Sequence, residues 1–117
     1  MTAVTFSAAF RSRPPLAVID LEGDLLAEAQ PELERAYDQA EASGERIIAL
    51  NFSRLRYLNS TGIALIVALL RRAREKGRKI AAFGLSDHYR EVFQITRLSE
   101  FMAIYDDEAA ACESLIV

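Results

Sequence analysis

The chain alternates short apolar runs with stretches in which apolar residues recur every three to four positions. Alternation from Val4 to Phe10 predicts an edge strand. The segment Arg11 to Pro15 must turn, because its two prolines fix φ and lack amide donors. The apolar run from Leu16 to Leu21 therefore predicts the second strand of a hairpin.

Two later runs, "RIIALNF" at Arg46–Phe52 and "KIAAFGL" at Lys79–Leu85, are apolar on both faces, which is typical of central strands between two layers. A short strand is predicted at Met102–Tyr105. Helical spacing of apolar residues predicts four helices between and after these strands. The first has Pro31 in its first turn and ends at Ser43-Gly44, and the second follows Gly62. The third is capped at Ser86-Asp87 and carries Tyr89, Val92, Phe93 and Ile95, and the last begins near Asp106.

These elements give the order ββαβαβαβα. The sequence predicts the α/β class, with a mixed central β-sheet of about five strands covered by about four helices. The 117 residues are 51% hydrophobic, which suffices for the core of one domain spanning 1–117.

Charge and hydropathy exclude several classes of partner. The net charge of −3 and the pI near 5.2 predict no direct binding to nucleic acid. The longest apolar run, Ile63–Leu70, is far shorter than the ~20 residues of a spanning helix, so no membrane insertion is expected. The N-terminus lacks the pattern of a signal peptide, and a cytoplasmic location is predicted.

Few residues suggest catalysis. The sequence shows no glycine-rich phosphate loop, metal-ligand spacing or nucleophile elbow, so it predicts no enzyme, no cofactor and no metal. Cys112 and the aromatic residues Tyr89, Phe93 and Phe101 are interpreted as packing, and His88 as an exposed first-turn residue. The basic cluster Arg71, Arg72, Arg74, Lys76, Arg78 and Lys79 is interpreted as a solvated cap at a helix C-terminus.

The most informative segment is Asn59-Ser60-Thr61-Gly62, which joins a strand to an apolar helix. Ser60 and Thr61 are favoured capping types, and Gly62 permits close backbone approach. The first amides of a helix are unpaired and its N-terminal dipole is positive, so an anion is stabilised there. One interpretation is that Ser60 or Thr61 only caps the helix. The other is that the corner receives a phosphate.

Three segments carry a resemblance to a known family: "LEGDL" at Leu21–Leu25, the block Ala49–Ser86, and the block Val92–Ala111. The chain resembles a stand-alone STAS domain, the fold named for sulfate transporters and anti-sigma factor antagonists, and is most similar to the bacterial antagonists. The family pattern of aspartate, serine, serine or threonine, and glycine lies over Asn59–Gly62.

This resemblance implies partner switching. The antagonist binds an anti-sigma factor that is a serine kinase and so releases a sigma factor, the kinase phosphorylates Ser60, and a phosphatase restores the binding form. Thr61 is the fallback acceptor. The chain departs from the family at Asn59, which replaces the usual aspartate, and at Leu26, which replaces a second acid.

The resemblance also brings the loop at Gly23 to Glu28 close to the corner. The expected partner-binding residues are Gly23, Asp24, Leu25, Leu26, Leu58, Asn59, Ser60, Thr61 and Gly62, with exposed Leu25 or Leu26 as apolar anchors. Two alternatives remain open: an unphosphorylated STAS subunit that docks on a lipid-transport ATPase, and a nucleotide-binding sensor. An unpaired edge at Val4–Phe10 would allow a homodimer.

Overall fold

The computed structural model describes residues 5–115. The predicted order of strands and helices is confirmed, with two additional 3₁₀ turns at Ala27–Ala29 and Leu98–Glu100. The elements are β1 (Ser7–Arg13), β2 (Leu16–Leu25), α1 (Gln30–Ala42), β3 (Ile47–Leu58), α2 (Ser60–Glu75), β4 (Lys79–Phe83), α3 (Asp87–Ile95), β5 (Ala103–Tyr105) and α4 (Glu108–Leu115).

The five strands form one mixed sheet in the order β1-β2-β3-β4-β5. β1 is antiparallel to β2, and every later pair is parallel. β1 is an edge strand as predicted, although Val4 lies outside the described residues. The predicted turn is shorter than expected, because β1 pairs with β2 as far as Arg13 and only Pro14 and Pro15, joined by a cis peptide, form the turn.

Alternate side chains of the central strands enter two different cores. Ile19 and Leu50 lie in the larger core, which α1, α2 and α3 cover. Val18 and Ala49 lie in the smaller core, where they pack against Cys112 of α4. The apolar character of both faces therefore reflects burial on both sides, as the sequence predicted. Cys112 is a buried free cysteine, in agreement with its interpretation as packing.

An ion-pair network holds α4 against the β1–β2 hairpin. The guanidinium of Arg11 donates to both carboxylate oxygens of Asp20 at 2.9 and 3.0 Å and to both of Glu108 at 2.9 and 2.8 Å. Arg13 also donates to Glu108, and Asn51 donates to Asp20. The Arg11 hydrogen bond is the main reason that the pKa of Glu108 falls from 4.5 to about 2, and the pKa of Asp20 is lowered by the same guanidinium.

One prediction about an apolar residue requires correction. Phe93 is fully buried and meets Phe52 edge to face with ring centroids 5.6 Å apart, but Phe101 is 62% exposed and Ile95 is 74% exposed. The interpretation of Phe101 as core is wrong, because α3 ends at Ile95 and Arg97, with φ of 65°, redirects the chain. His88 is exposed, as predicted.

β3 begins one residue later and ends six residues later than predicted. It continues past Phe52 to Leu58 because β2 pairs with it as far as Leu25. The register shifts twice along this extension: β2 advances from Asp20 to Glu22 while β3 advances from Asn51 to Arg54, and a second shift follows Gly23. The extension carries the chain to the corner at Asn59.

Within residues 5–115, no helix has the length and apolarity needed to cross a membrane. The same part of the chain contains no cluster of three or more histidine, cysteine, aspartate or glutamate side chains arranged to hold a metal ion.

Candidate partner-binding site

Asn59 is the residue that caps α2. Its backbone is extended, with φ of −101° and ψ of −177°, and its Oδ1 atom accepts a hydrogen bond from the Gly62 amide at 2.8 Å. Its carbonyl accepts the first intrahelical bond, from Ile63, at 2.9 Å. The interpretation that Ser60 or Thr61 caps the helix is therefore wrong, because both lie inside its first turn.

The hydroxyls of Ser60 and Thr61 are accessible. Both residues are exposed, and neither hydroxyl forms a hydrogen bond with another residue in the described part of the chain. Their backbone amides lie at the first two helical positions, which have no intrahelical acceptor. The surface thus combines two free hydroxyls with the positive end of a 16-residue helix.

The corner and the loop after β2 touch directly, as predicted. Leu25 pairs with Leu58 at the ends of two adjacent parallel strands. Gly62 packs on both: a Cβ atom at Gly62 would lie 2.2 Å from the Leu25 carbonyl oxygen and 2.9 Å from Cδ1 of Leu58. Only glycine permits this approach, so the chain uses Gly62 to seat α2 against the end of β2.

An ion pair between buried Asp24 and half-exposed Arg56 fixes the loop. Asp24 is only 5% exposed and accepts two hydrogen bonds from Arg56, Nε to Oδ1 and Nη2 to Oδ2, each at 2.9 Å. This bidentate geometry orients both side chains. The pattern of apolar residues did not reveal it, because Arg56 lies in the part of β3 beyond the predicted strand.

A third element reaches the corner from α3. The Tyr89 hydroxyl accepts a hydrogen bond from the Leu58 amide at 3.0 Å. Ser86 caps α3, and its Oγ atom accepts from the Tyr89 amide at 3.3 Å, which confirms the predicted cap. The corner is therefore held by β2, by α3 and by its own cap.

Burial separates the predicted partner-binding residues into two groups. Ser60 and Thr61 are exposed, and Leu26 and Asn59 are partly exposed. The remaining residues are buried and support the surface from inside: Gly23, Asp24, Leu25, Leu58 and Gly62.

The expectation that Leu25 is an exposed anchor is wrong. Its side chain is 0% exposed, because the alternation of β2 continues to its last residue and directs Leu25 into the larger core. The residue that sequence reasoning missed is Tyr57, which is 49% exposed near the end of β3. Tyr57 is exposed and Leu26 is partly exposed beside the corner.

Comparisons with known proteins agree with this architecture. The family model described as "Mlab, STAS domain" matches residues 8–104. The chain is 29% identical over 86 residues to the anti-sigma-B factor antagonist of Staphylococcus aureus, which covers 74% of this chain and 80% of that protein.

Two solved structures share the fold. An anti-sigma factor antagonist from Mycobacterium paratuberculosis superposes with a TM-score of 0.77 and 18% identity, covering 97% of this chain and 96% of that one. The Bacillus cell fate determinant SpoIIAA in its phosphorylated form gives a TM-score of 0.68 and 24% identity, covering 94% and 99%. With its family model matched over residues 8–104 and its five-stranded mixed sheet, the chain belongs to the STAS domain family.

Proposed function

We propose that the chain is an anti-sigma factor antagonist, which binds an anti-sigma factor kinase at the corner and thereby releases a sigma factor. The observation that carries this proposal is the exposed, unbonded hydroxyl of Ser60 at the first position of α2. The name of the Staphylococcus aureus relative supports the same role. The chain acts by binding in the cytoplasm and catalyses no reaction itself.

Phosphorylation of Ser60 is the proposed control. The Ser60 Oγ atom attacks the γ-phosphorus of ATP, the bond from that phosphorus to the β-phosphate oxygen breaks, and the hydroxyl proton passes to a base of the kinase. The modification adds about −1.5 to −2 charges at neutral pH. Thr61 is the alternative acceptor, and a phosphatase removes the phosphate. The phosphorylated form of SpoIIAA supports this control.

The physical effect of the phosphate is local. The positive end of α2 stabilises the added charge, while charge and bulk at an exposed position oppose the partner surface. The corner needs no rearrangement, because Asn59, Gly62 and Leu58 are already fixed by the cap, by β2 and by Tyr89. The switch is therefore a change of surface charge.

The decisive experiment incubates the protein with each anti-sigma factor kinase of its own organism and ATP, followed by intact-mass measurement and phosphosite mapping. One added phosphate on Ser60 is expected, absent in Ser60→Ala and retained in Thr61→Ala. Affinity for the same kinase is then compared between Ser60→Asp and Ser60→Asn, which are close in size and differ in charge.

We expect Ser60→Asp to weaken binding about tenfold or more relative to Ser60→Asn, because the aspartate adds a charge at the interface. Full affinity in Ser60→Asp would exclude the proposed switch. Binding of ATP or GTP without any kinase would instead identify a nucleotide sensor.

A second candidate is a constitutive STAS subunit that docks on a transporter ATPase. The uncharged Asn59 at the start of α2 favours it. It predicts a protein that carries no phosphate in growing or stressed cells and copurifies with a transporter ATPase. Phosphate on Ser60 whose occupancy changes with growth condition would exclude it.

A further inference from the structure

A groove of about 980 Å³ lies at the opposite end of α2 from the corner. Its walls are the C-terminal half of α2 and the segment that runs from the 3₁₀ turn at Leu98–Glu100 into β5. Val67 and Leu70 of α2 and Met102 line its apolar interior, and Phe101, 62% exposed, lies at its side. Phe101 is continuous with the apolar lining of the groove, and a continuous apolar surface of this kind is typical of a binding site.

The groove is strongly cationic although the chain as a whole carries a net charge of −3. Four basic residues line it, Arg71, Arg74, Arg78 and Lys79, against one acidic residue, Glu100, which pairs with Arg97. Within residues 5–115, Arg71, Arg74 and Lys79 form no ion pair, and Arg78 donates only to the backbone carbonyls of Glu41 and Glu45, at 3.2 Å each. These positive charges lack acidic partners.

Arg72, in the same helix, differs from these residues because it has acidic partners. It pairs with Asp38 at 2.5 Å and with Glu41 at 3.2 Å, and its guanidinium lies 4.6 Å from the centre of the Tyr37 ring. The sequence-based interpretation of the basic cluster as one solvated cap is therefore too simple. Arg72 joins α1 to α2, whereas Arg71 and Arg74 face the groove.

The arrangement of the residues that line the groove indicates which kind of molecule would bind there. Val67, Leu70 and Arg74 lie on one side of α2 over two helical turns, a length of about 10 Å. A single anionic headgroup needs donors that converge on one point, but here Arg71 and Arg74 lie about one turn apart on α2, while Arg78 and Lys79 lie where the chain enters β4. A two- to three-turn helix with apolar residues at i, i+4 and i+7 and acidic residues beside them matches both the apolar interior and these separated charges.

We propose that this groove binds an acidic amphipathic helix of a partner protein, with its apolar residues between α2 and Phe101 and its carboxylates on Arg71, Arg74, Arg78 and Lys79. The inference is independent of the proposed function, because the corner at Ser60 lies at the other end of α2. Both surfaces can be occupied at once.

The test uses the full chain and a fluorescein-labelled synthetic helix with leucine at i, i+4, i+7 and i+11 and mostly glutamate elsewhere. A peptide of the same composition with scrambled leucine positions controls for simple charge attraction. Fluorescence anisotropy should show saturable binding of the first peptide that weakens with added salt. The scrambled peptide should bind at least about tenfold more weakly, because it cannot present one apolar face.

Four variants locate the site. Arg74→Glu should weaken peptide binding about tenfold or more, and Phe101→Ala several-fold. Arg54→Glu makes the same charge change at an exposed position outside the groove and should stay within about twofold. Circular dichroism of each variant checks that the fold is retained. Arg71→Gln removes one positive charge without adding a negative one, so it should weaken peptide binding less than Arg74→Glu does.

Several outcomes would overturn the proposal: no binding at millimolar peptide, equal binding of the scrambled peptide, or equal losses in Arg74→Glu and Arg54→Glu. Binding to vesicles that contain anionic phospholipid, lost in Arg74→Glu and without any binding of the peptide, would assign the groove to a membrane surface instead.

Discussion

At the scale of single residues, Asn59 and its neighbours have different roles at the corner. Asn59 supplies the capping oxygen, so the hydroxyls of Ser60 and Thr61 have no structural task within the described residues. An aspartate, the usual family residue, would cap in the same way and add a charge. The replacement therefore conserves the helix start and alters only the electrostatics of the surface.

The capping role of Asn59 predicts opposite effects on stability for two substitutions at this position. Asn59→Ala removes the acceptor for the Gly62 amide and should lower the free energy of unfolding by about 1 kcal/mol. Asn59→Asp keeps the acceptor and places a negative charge at the positive end of α2, which should stabilise the protein by about 0.3–1 kcal/mol at neutral pH. Urea denaturation measures both, and equal stability of the two variants would contradict the capping role.

Gly62 gives a second prediction. Alanine in a helix is ordinarily more stable than glycine, but a Cβ at this position would lie 2.2 Å from the Leu25 carbonyl oxygen. Gly62→Ala should therefore destabilise the protein by about 3 kcal/mol. Thr61→Ala, one residue earlier and exposed, should change stability by no more than about 0.5 kcal/mol. Urea denaturation midpoints of the two variants measure these effects. A Gly62→Ala variant more stable than the wild type would show that the contact between Gly62 and the Leu25 carbonyl is not tight.

The sequence predicted the candidate site through Ser60, Thr61 and Gly62, because a strand-to-helix corner has a local signature. It missed Tyr57 and misassigned Leu25, since the exposure of a strand's last residues depends on what packs above them. That information lies in the pairing of β2 with β3 and is not local.

At the scale of elements, α4 is fastened by charge as well as by packing. Glu108, in its first turn, meets Arg11 and Arg13 of β1. The N-terminal position also suits a carboxylate. The sequence predicted a last helix but not this attachment, because 97 residues separate Arg11 from Glu108.

The network predicts a specific loss of stability in acid. The pKa of Glu108 in the folded state is about 2, below its ordinary value of 4.5. Its contribution is therefore complete above pH 4.5 and is lost as the pH falls toward 2. Glu108→Gln should show a shallower fall in the free energy of unfolding across this window than the wild type, because Asp20 is then the one carboxylate of this network that remains.

The control is Glu113→Gln, an exposed position on the same helix. It should follow the wild-type pH dependence in a urea titration repeated at each pH. A Glu108→Gln profile parallel to the wild type would show that the ion pairs with Arg11 and Arg13 do not contribute.

At the scale of the whole molecule, α2 separates two surfaces of different character. Its N-terminus carries the hydroxyls of Ser60 and Thr61, and its C-terminal half carries the cationic groove. The order of elements along the chain was predictable from apolar periodicity. The groove was not, because it forms only where residues near Arg74 and residues near Phe101 come together across β4. Self-association through β1 stays a prediction.

The fixed corner implies that charge at Ser60 changes binding and not folding. Ser60→Glu should keep the free energy of unfolding within about 0.5 kcal/mol of the wild type, because the side chain is exposed and the helix dipole favours an acid there. Amide hydrogen exchange of β2 and β3 should likewise be unchanged. Widespread loss of protection would mean that modification acts by unfolding the domain.

The two register shifts between β2 and β3 also limit how the chain can change in length. β3 uses two more residues than β2 between the pair Asp20–Asn51 and the pair Asp24–Tyr57. Deleting one residue there would draw Asn59 back by about 3.3 Å and exchange the inner and outer faces of the remaining strand. Insertions and deletions between Phe52 and Asn59 would therefore separate the helix start from the loop it rests on, whereas a substitution at an exposed position such as Arg54 would leave this spacing unchanged.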